Sequence, residues 1–398
     1  MSTASAASKQ GRDTAWNTAS MSTRVVILGA GFGGLELATR LSAELADAVD
    51  VTLIDQADSF IFGYSKLDVM FGHQQLDEVR SYYRDIAKPS VEFRQEVIES
   101  IDPTARRVVT DVGTYDADII VVALGADLDP DATPGLAEGG WEFYSPEGAD
   151  RVRDAIQTFE EGAAVIGILG PFFKCPPAPF ETAFLLHDLL TSRGVRDKTT
   201  IKVLSPLPSP IPISPDSSAA ILAACAEHNI EFWPQSMVAS LDPAGKIATV
   251  VDGRTVPYDL FLGIPRHKAP DVVEAAGLTV DGWIRVDPET FATQFPDVYA
   301  VGDVTSAPVP RAGVFAEGEA RTVADVLLER LGGGPPAQPY AGIAACYLEM
   351  GNGTVARVNV NFLGGPAPTG TFTDPTREIA REKQEFGASR LRRWFGYE

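Results

Sequence analysis

The chain has 398 residues, of which 45% are apolar, and carries 33 lysines and arginines against 54 acids, a net charge of −21. That length suits two or three domains with a buried core. The acidic balance excludes nucleic acid as a partner, because phosphate binding needs a basic face.

No run of about 18 apolar residues is present, so no membrane-crossing helix is expected. Residues 1–22 are Ser/Thr/Ala-rich, without the apolar centre of a secretory signal. They are read as a disordered leader, with a second methionine at Met21, and the chain is expected to be cytoplasmic. Three cysteines without CxxC spacing and four scattered histidines give neither a disulfide framework nor a metal site.

In chain order, the apolar run Arg24-Val25-Val26-Ile27-Leu28 predicts a buried parallel strand. The loop Gly29-Ala30-Gly31-Phe32-Gly33-Gly34 follows, then helical spacing from Leu35 to Leu45. The second strand ends at Asp55, 21 positions after Gly34. Strand, glycine loop, helix and distal acid form the dinucleotide fingerprint, with the acid placed for a ribose hydroxyl. A further strand, Ile119 to Leu124, ends in the turn Gly125-Ala126.

A second strand-loop-helix unit spans 163–192. Its turn reads Gly167-Ile168-Leu169-Gly170-Pro171-Phe172-Phe173-Lys174-Cys175-Pro176-Pro177. Phenylalanine and proline stand where glycines would let a backbone approach a pyrophosphate, and the next strand, Thr200 to Leu204, ends without an acid. One dinucleotide site is kept and a cysteine replaces the other. That points to thiol or sulfur chemistry without NAD(P)H. Gln294 to Val304 predicts a strand running into Gly302-Asp303, with a helix from Ala316 to Leu331 and a linker at 332–336. The remainder alternates like a strand at 353–362 and ends in a charged tail.

The fold expected is α/β: two Rossmann-like, doubly wound domains with a C-terminal α+β cap. The divisions are 23–150 and 290–335 for the first dinucleotide domain, 151–289 for the degenerate second, and 336–398 for the cap.

Gly29–Gly34, Leu124-Gly125-Ala126 and Tyr299-Ala300-Val301-Gly302-Asp303 together resemble the two-dinucleotide-binding-domain flavoproteins. The resemblance implies FAD in the first unit, with Gly302-Asp303 closing over its ribityl and phosphate groups. Cys175-Pro176-Pro177-Ala178-Pro179-Phe180-Glu181 is similar to the cysteine motif of the sulfide:quinone oxidoreductases and the flavoprotein subunit of flavocytochrome c sulfide dehydrogenase. Cys346-Tyr347 matches that family's partner cysteine. The resemblance covers about residues 24–395. It implies a Cys175–Cys346 disulfide or persulfide over the flavin, attacked by hydrosulfide, with two electrons passing to FAD and on to a quinone.

Lys174 and the helix start after Cys175 should favour its thiolate, the nucleophilic form. Glu181 reads equally as an acid or base at the disulfide or as a first-turn acid serving the helix dipole. Lys174 either steers hydrosulfide or is solvated. Arg311, before Ala312, stands where the family has a lysine at the flavin pyrimidine edge; a surface ion pair is the alternative. Cys225 is read as core, His267 as a solvated loop residue, and Tyr347 and Phe362 as quinone-flanking or core. The loop Phe60 to Lys66 has no cysteine, so FAD is expected to be non-covalent. The basic-aromatic tail, 389–397, reads either as a peripheral membrane contact on the inner face of the cell membrane or as packed on its own domain or a partner. The partners expected are a small sulfide or thiol, a quinone or other acceptor, and a second copy in a homo-oligomer. Three other activities stay open: an NADH-linked flavoprotein, an enzyme of organic thiols or persulfides, and a redox-inactive flavin-binding protein.

Overall fold

The computed structural model describes residues 22–397. The leader expected over 1–22 lies outside them except for Ser22. The two central sheets use β1 (Thr23–Leu28), β2 (Val49–Asp55), β3 (Val91–Gln95), β4 (Ile119–Val122), β5 (Trp141–Glu142), β6 (Gly162–Ile168), β7 (Thr199–Leu204), β8 (Ile230–Trp233), β9 (Leu260–Ile264) and β10 (Val298–Ala300). The first sheet runs β10-β4-β1-β2-β3 and the second β5-β9-β6-β7-β8, both parallel. Val25 pairs with Val51 on one side and Ile119 on the other, so β1 is central and its apolar run is buried on both faces. The fold is therefore α/β with two doubly wound units, and β10 returns late in the chain to complete the first.

Four helices position the site: α1 (Phe32–Leu45), α2 (Ala178–Ser192), α3 (Gly313–Leu327) and α4 (Arg377–Phe395). The cap is the antiparallel sheet of β11 (Ile343–Glu349), β12 (Val355–Asn361) and β13 (Thr369–Thr376), followed by α4. The charged tail is thus a helix. The Thr376 side chain caps it by accepting from the Ile379 N–H, and Gly396 ends it in the left-handed region.

The end of α4 packs on the first domain. Trp394 is fully buried, edge-on to Phe32 at 5.6 Å and Phe60 at 5.4 Å. Its Nε1 donates to Glu36 Oε2 over 2.8 Å. Buried Glu36 and Glu317 take the guanidinium groups of Arg321, Arg390 and Arg393. Two buried carboxylates need this many donors to offset their desolvation. Of the two readings of the tail, the structure shows the packed one, with Arg392, Gly396 and Tyr397 left exposed. Among the described residues, no helix is long and apolar enough to cross a membrane.

Candidate active site

One cavity of about 890 Å³ reaches from the glycine loop to Cys175 and Cys346. At its first end, Gly29 sits at φ +99°, and a Cβ there would lie 2.5 Å from the Ala123 carbonyl oxygen. A Cβ on Gly34 would lie 1.9 Å from the Gly29 oxygen. Only glycine permits this turn and this approach of helix to strand. Helix α1 starts without a side-chain cap, leaving its first N–H groups to an anion in the cavity. Gly29, Gly31, Phe32 and Gly33 line the space, as do Asp55, Gly125, Gly302, Asp303 and Ala312. Ala30, Gly34 and Ala126 sit behind it. The Asp55 carboxylate accepts from the N–H groups of Ala30 (2.7 Å) and Ala57 (2.8 Å), so it braces the loop while facing the cavity. Burial raises its pKa and these N–H groups pull it back. The cradle, its length and its uncapped helix fit a flavin dinucleotide.

The second unit shows no such cradle. Cβ atoms on its remaining glycines would meet packed neighbours: Phe261 Cζ at 2.4 Å from Gly167, and Arg266 Cα at 3.0 Å from Gly170. At the start of α2, the N–H groups of Phe180 and Glu181 donate to Pro177, that of Ala178 donates to Cys175, and Pro179 has none. These donors are spent within the loop.

Cys175 is held at φ +54°, the left-handed region, where a non-glycine residue costs about 1–3 kcal/mol. Its surroundings over-determine that conformation. Its N–H donates to Arg311 O (2.9 Å), its carbonyl accepts from Ala178 (2.9 Å), and Tyr144 Oη donates to the Lys174 carbonyl (2.9 Å). The Lys174 N–H points at His267 Nε2 at 3.4 Å. His267 Nδ1 lies 2.8 Å from Pro265 O, which places the ring proton there. His267 is buried, and burial followed by Lys174 drives its pKa down to about 3. This corrects its reading as a solvated residue: 266–268 pairs with 127–129, which turns the ring inward between two exposed or half-buried neighbours.

Cys346, on β11, faces the same cavity, and both thiols are free. Burial, then Glu181 and Cys346, push the Cys175 thiol well above its usual range. Burial and Glu181 push Cys346 up to about 12. Of the two features expected to favour the Cys175 thiolate, the helix start does so through the Ala178 N–H, Lys174 does not, and the net shift is upward. The Lys174 ammonium donates to Ala126 O (2.7 Å) and faces Asp303 at 3.9 Å, and burial outweighs the Ala178 N–H and Lys383. Cys225 is buried in the core.

Glu181, in the first turn of α2, accepts from the Glu349 N–H at 3.0 Å. Burial raises its pKa to about 7, with Lys383 pulling back. Lys383 of α4 holds Glu349 Oε1 at 2.5 Å and lies 4.8 Å over the Tyr64 ring. The Arg311 guanidinium does not line the cavity. It donates to the Asp303 carbonyl (3.1 Å) and stacks 3.7 Å over Trp283, behind the Gly302-Asp303 turn. Phe362 packs edge-on against Phe315, whereas Tyr347 lines the cavity beside Phe386 at 5.4 Å.

The sequence therefore yields Cys175, Cys346, Glu181 and Lys174 as one constellation, and misses Lys66, Tyr144, His267, Glu349 and Lys383 around it. Only Lys66 carried a signal, as a cation in an otherwise apolar loop. Among the described residues, no cluster of His, Cys, Asp and Glu could hold a metal.

Fold and site define a flavin-type oxidoreductase of the doubly wound class. Residues 23–322 match the pyridine nucleotide-disulphide oxidoreductase family, and the chain belongs to it. It is 24% identical over 372 residues to the mouse mitochondrial sulfide:quinone oxidoreductase, covering 89% of this chain and 82% of that one. It is 26% identical to the sulfide-quinone reductase of Aquifex aeolicus over 355 residues, 83% and 82% of the two chains. The solved sulfide:quinone oxidoreductase of Aquifex aeolicus superposes with a TM-score of 0.85 at 23% identity, over 94% of this chain and 92% of that one.

Proposed function

We propose that this chain is an FAD-dependent sulfide dehydrogenase that oxidises hydrosulfide to zero-valent sulfur and delivers the electrons to a quinone. The observation that carries the reading is the meeting of Cys175 and Cys346, 171 residues apart, on the cavity that the glycine loop opens. Two relatives named for sulfide and quinone, each matching over four-fifths of both chains, support it.

Gly29–Gly34, Asp55, Gly125 and Gly302-Asp303 would hold FAD non-covalently, and it would supply a two-electron relay between sulfur and acceptor. The residues of the chain do the rest. Hydrosulfide attacks the Cys175–Cys346 disulfide, breaking the S–S bond and leaving a persulfide on one cysteine and a thiolate on the other. Lys383 and the Glu349 N–H hold Glu181 as a carboxylate, and with a pKa near 7 it takes the persulfide proton to become the neutral acid. Two electrons leave the pair, sulfur departs and the disulfide is restored. The sum is HS⁻ + quinone + H⁺ → S⁰ + quinol. Tyr347 and Phe386, whose rings meet edge-to-face at 63°, offer an aromatic corner for a quinone ring beside Lys383. Any membrane contact by the tail would use Arg392, Gly396 and Tyr397, the parts that packing leaves exposed.

The same cysteine pair would serve a small organic thiol or persulfide, so turnover is compared for sulfide and such thiols with a soluble quinone. Faster quinone reduction with sulfide supports the assignment, and turnover by organic thiols alone contradicts it.

A further inference from the structure

Lys66 belongs to the short helix Ser65–Met70, and its ammonium faces the cavity. It donates to the Tyr144 carbonyl and lies 5.6 Å from the Tyr144 ring centre. That carbonyl occupies one of three donors, and among the described residues no carboxylate makes an ion pair with it. The charged or titratable groups it faces are Lys174, Glu142, Cys175, Asp303 and His267, the last held neutral by burial. Glu142 is already engaged by the N–H groups of Tyr144 and Ser145, the Ser145 hydroxyl and Arg151. Asp303 faces Lys174 at 3.9 Å. Cys175 remains. Tyr144 joins the two ends: its carbonyl holds Lys66, and its hydroxyl donates to the Lys174 carbonyl, one residue before Cys175.

We propose that Lys66 is the counter-cation of the sulfur anion at Cys175, a thiolate or the outer sulfur of a persulfide, and sets the pH at which that sulfur becomes nucleophilic. The proposal deepens the sulfide reading of the same site. Burial lowers Lys66 to about 8, the state of an ammonium whose neighbourhood lacks enough compensating anion. An anion on Cys175 supplies that charge, and each group then favours the ionised form of the other. Glu181 and Cys346 oppose the anion at Cys175, whereas Lys383 and the Ala178 N–H favour it. Lys66 thus offsets the carboxylate that the mechanism needs next to the cysteines. It acts through Cys175 and is a positioning residue.

The test needs no sulfide. In FAD-loaded, reduced Cys346→Ser protein, the iodoacetamide alkylation rate of Cys175 is followed by mass spectrometry from about pH 6 to 10, below the midpoint that burial imposes, where the rate tracks the thiolate fraction. Glutathione at each pH serves as the reference. Lys66→Met should slow alkylation roughly tenfold across the range, the effect of a midpoint raised by about one unit. Lys66→Arg should restore the original rate, and Lys66→Gln should behave as Lys66→Met. An unchanged rate in both neutral variants, or an arginine variant as slow as methionine, overturns the proposal. Failure of sulfide to reduce the wild-type protein would contradict only the activity assigned above.

Discussion

The Cys175 N–H donates to the Arg311 carbonyl over 2.9 Å, joining the degenerate loop of the second unit to the segment that follows the Gly302-Asp303 turn of the first. A backbone bond thus fixes the cysteine at the junction of the two dinucleotide units. Neither the Cys175 nor the Cys346 side chain takes part in this fixing.

Replacing either cysteine with serine should therefore leave FAD bound while abolishing reduction by sulfide. Flavin absorbance of the purified variants and its bleaching by sulfide check both halves. Sulfide reduction by either serine variant would remove the dithiol mechanism.

Glu181 provides a pH dependence with a definite sign. Its folded pKa is near 7 against 4.5 for the free group, so the folded state keeps its proton longer. Its contribution to stability is present below pH 4.5, falls as pH rises, and is fully lost above about 7. Glu181→Gln should be more stable than wild type at pH 8, by up to about 3 kcal/mol, and equal to it near pH 4.5. The same variant should lose the activity limb near pH 7 and about 10²–10⁴ in rate. Urea unfolding and pH–rate profiles read the two effects.

Local patterns explain what could be read beforehand. The glycine loop and the cysteine loop are contiguous stretches whose composition fixes their backbone, so Gly29, Asp55 and Cys175 stood out. Lys383, Glu349 and His267 reach the site only through the packing of α4, β11 and the 127–129/266–268 pairing, which no local period encodes. Long-range burial also reversed the expected thiolate preference, because a lysine adjacent in sequence turns its ammonium to Ala126 and Asp303. The tail stayed open for another reason: its arginines suit a lipid surface as well as they suit the buried carboxylates of Glu36 and Glu317, which lie far away in sequence.

Gly29→Ala should yield protein without flavin colour. The added methyl group would meet the Ala123 carbonyl at 2.5 Å in a left-handed backbone, so the loop must move away from its strand. The flavin-to-protein absorbance ratio after purification checks this, and a full complement of FAD would argue against the cradle.

Trp394→Ala should destabilise the first domain by about 3–5 kcal/mol, the usual cost of removing a large buried aromatic ring. It also removes a donor from buried Glu36. Chemical denaturation monitored by flavin release measures the loss. A loss below 1 kcal/mol would mean that the tail does not brace the glycine loop.

The most direct measurement is anaerobic stopped-flow absorbance of the FAD-loaded protein, mixed separately with sulfide and with NADH. The account predicts rapid bleaching of the flavin band by sulfide, with a long-wavelength charge-transfer band, and none by NADH. Bleaching by NADH alone would show that the proline-filled second loop still admits a nicotinamide, and would contradict the sulfur-linked function.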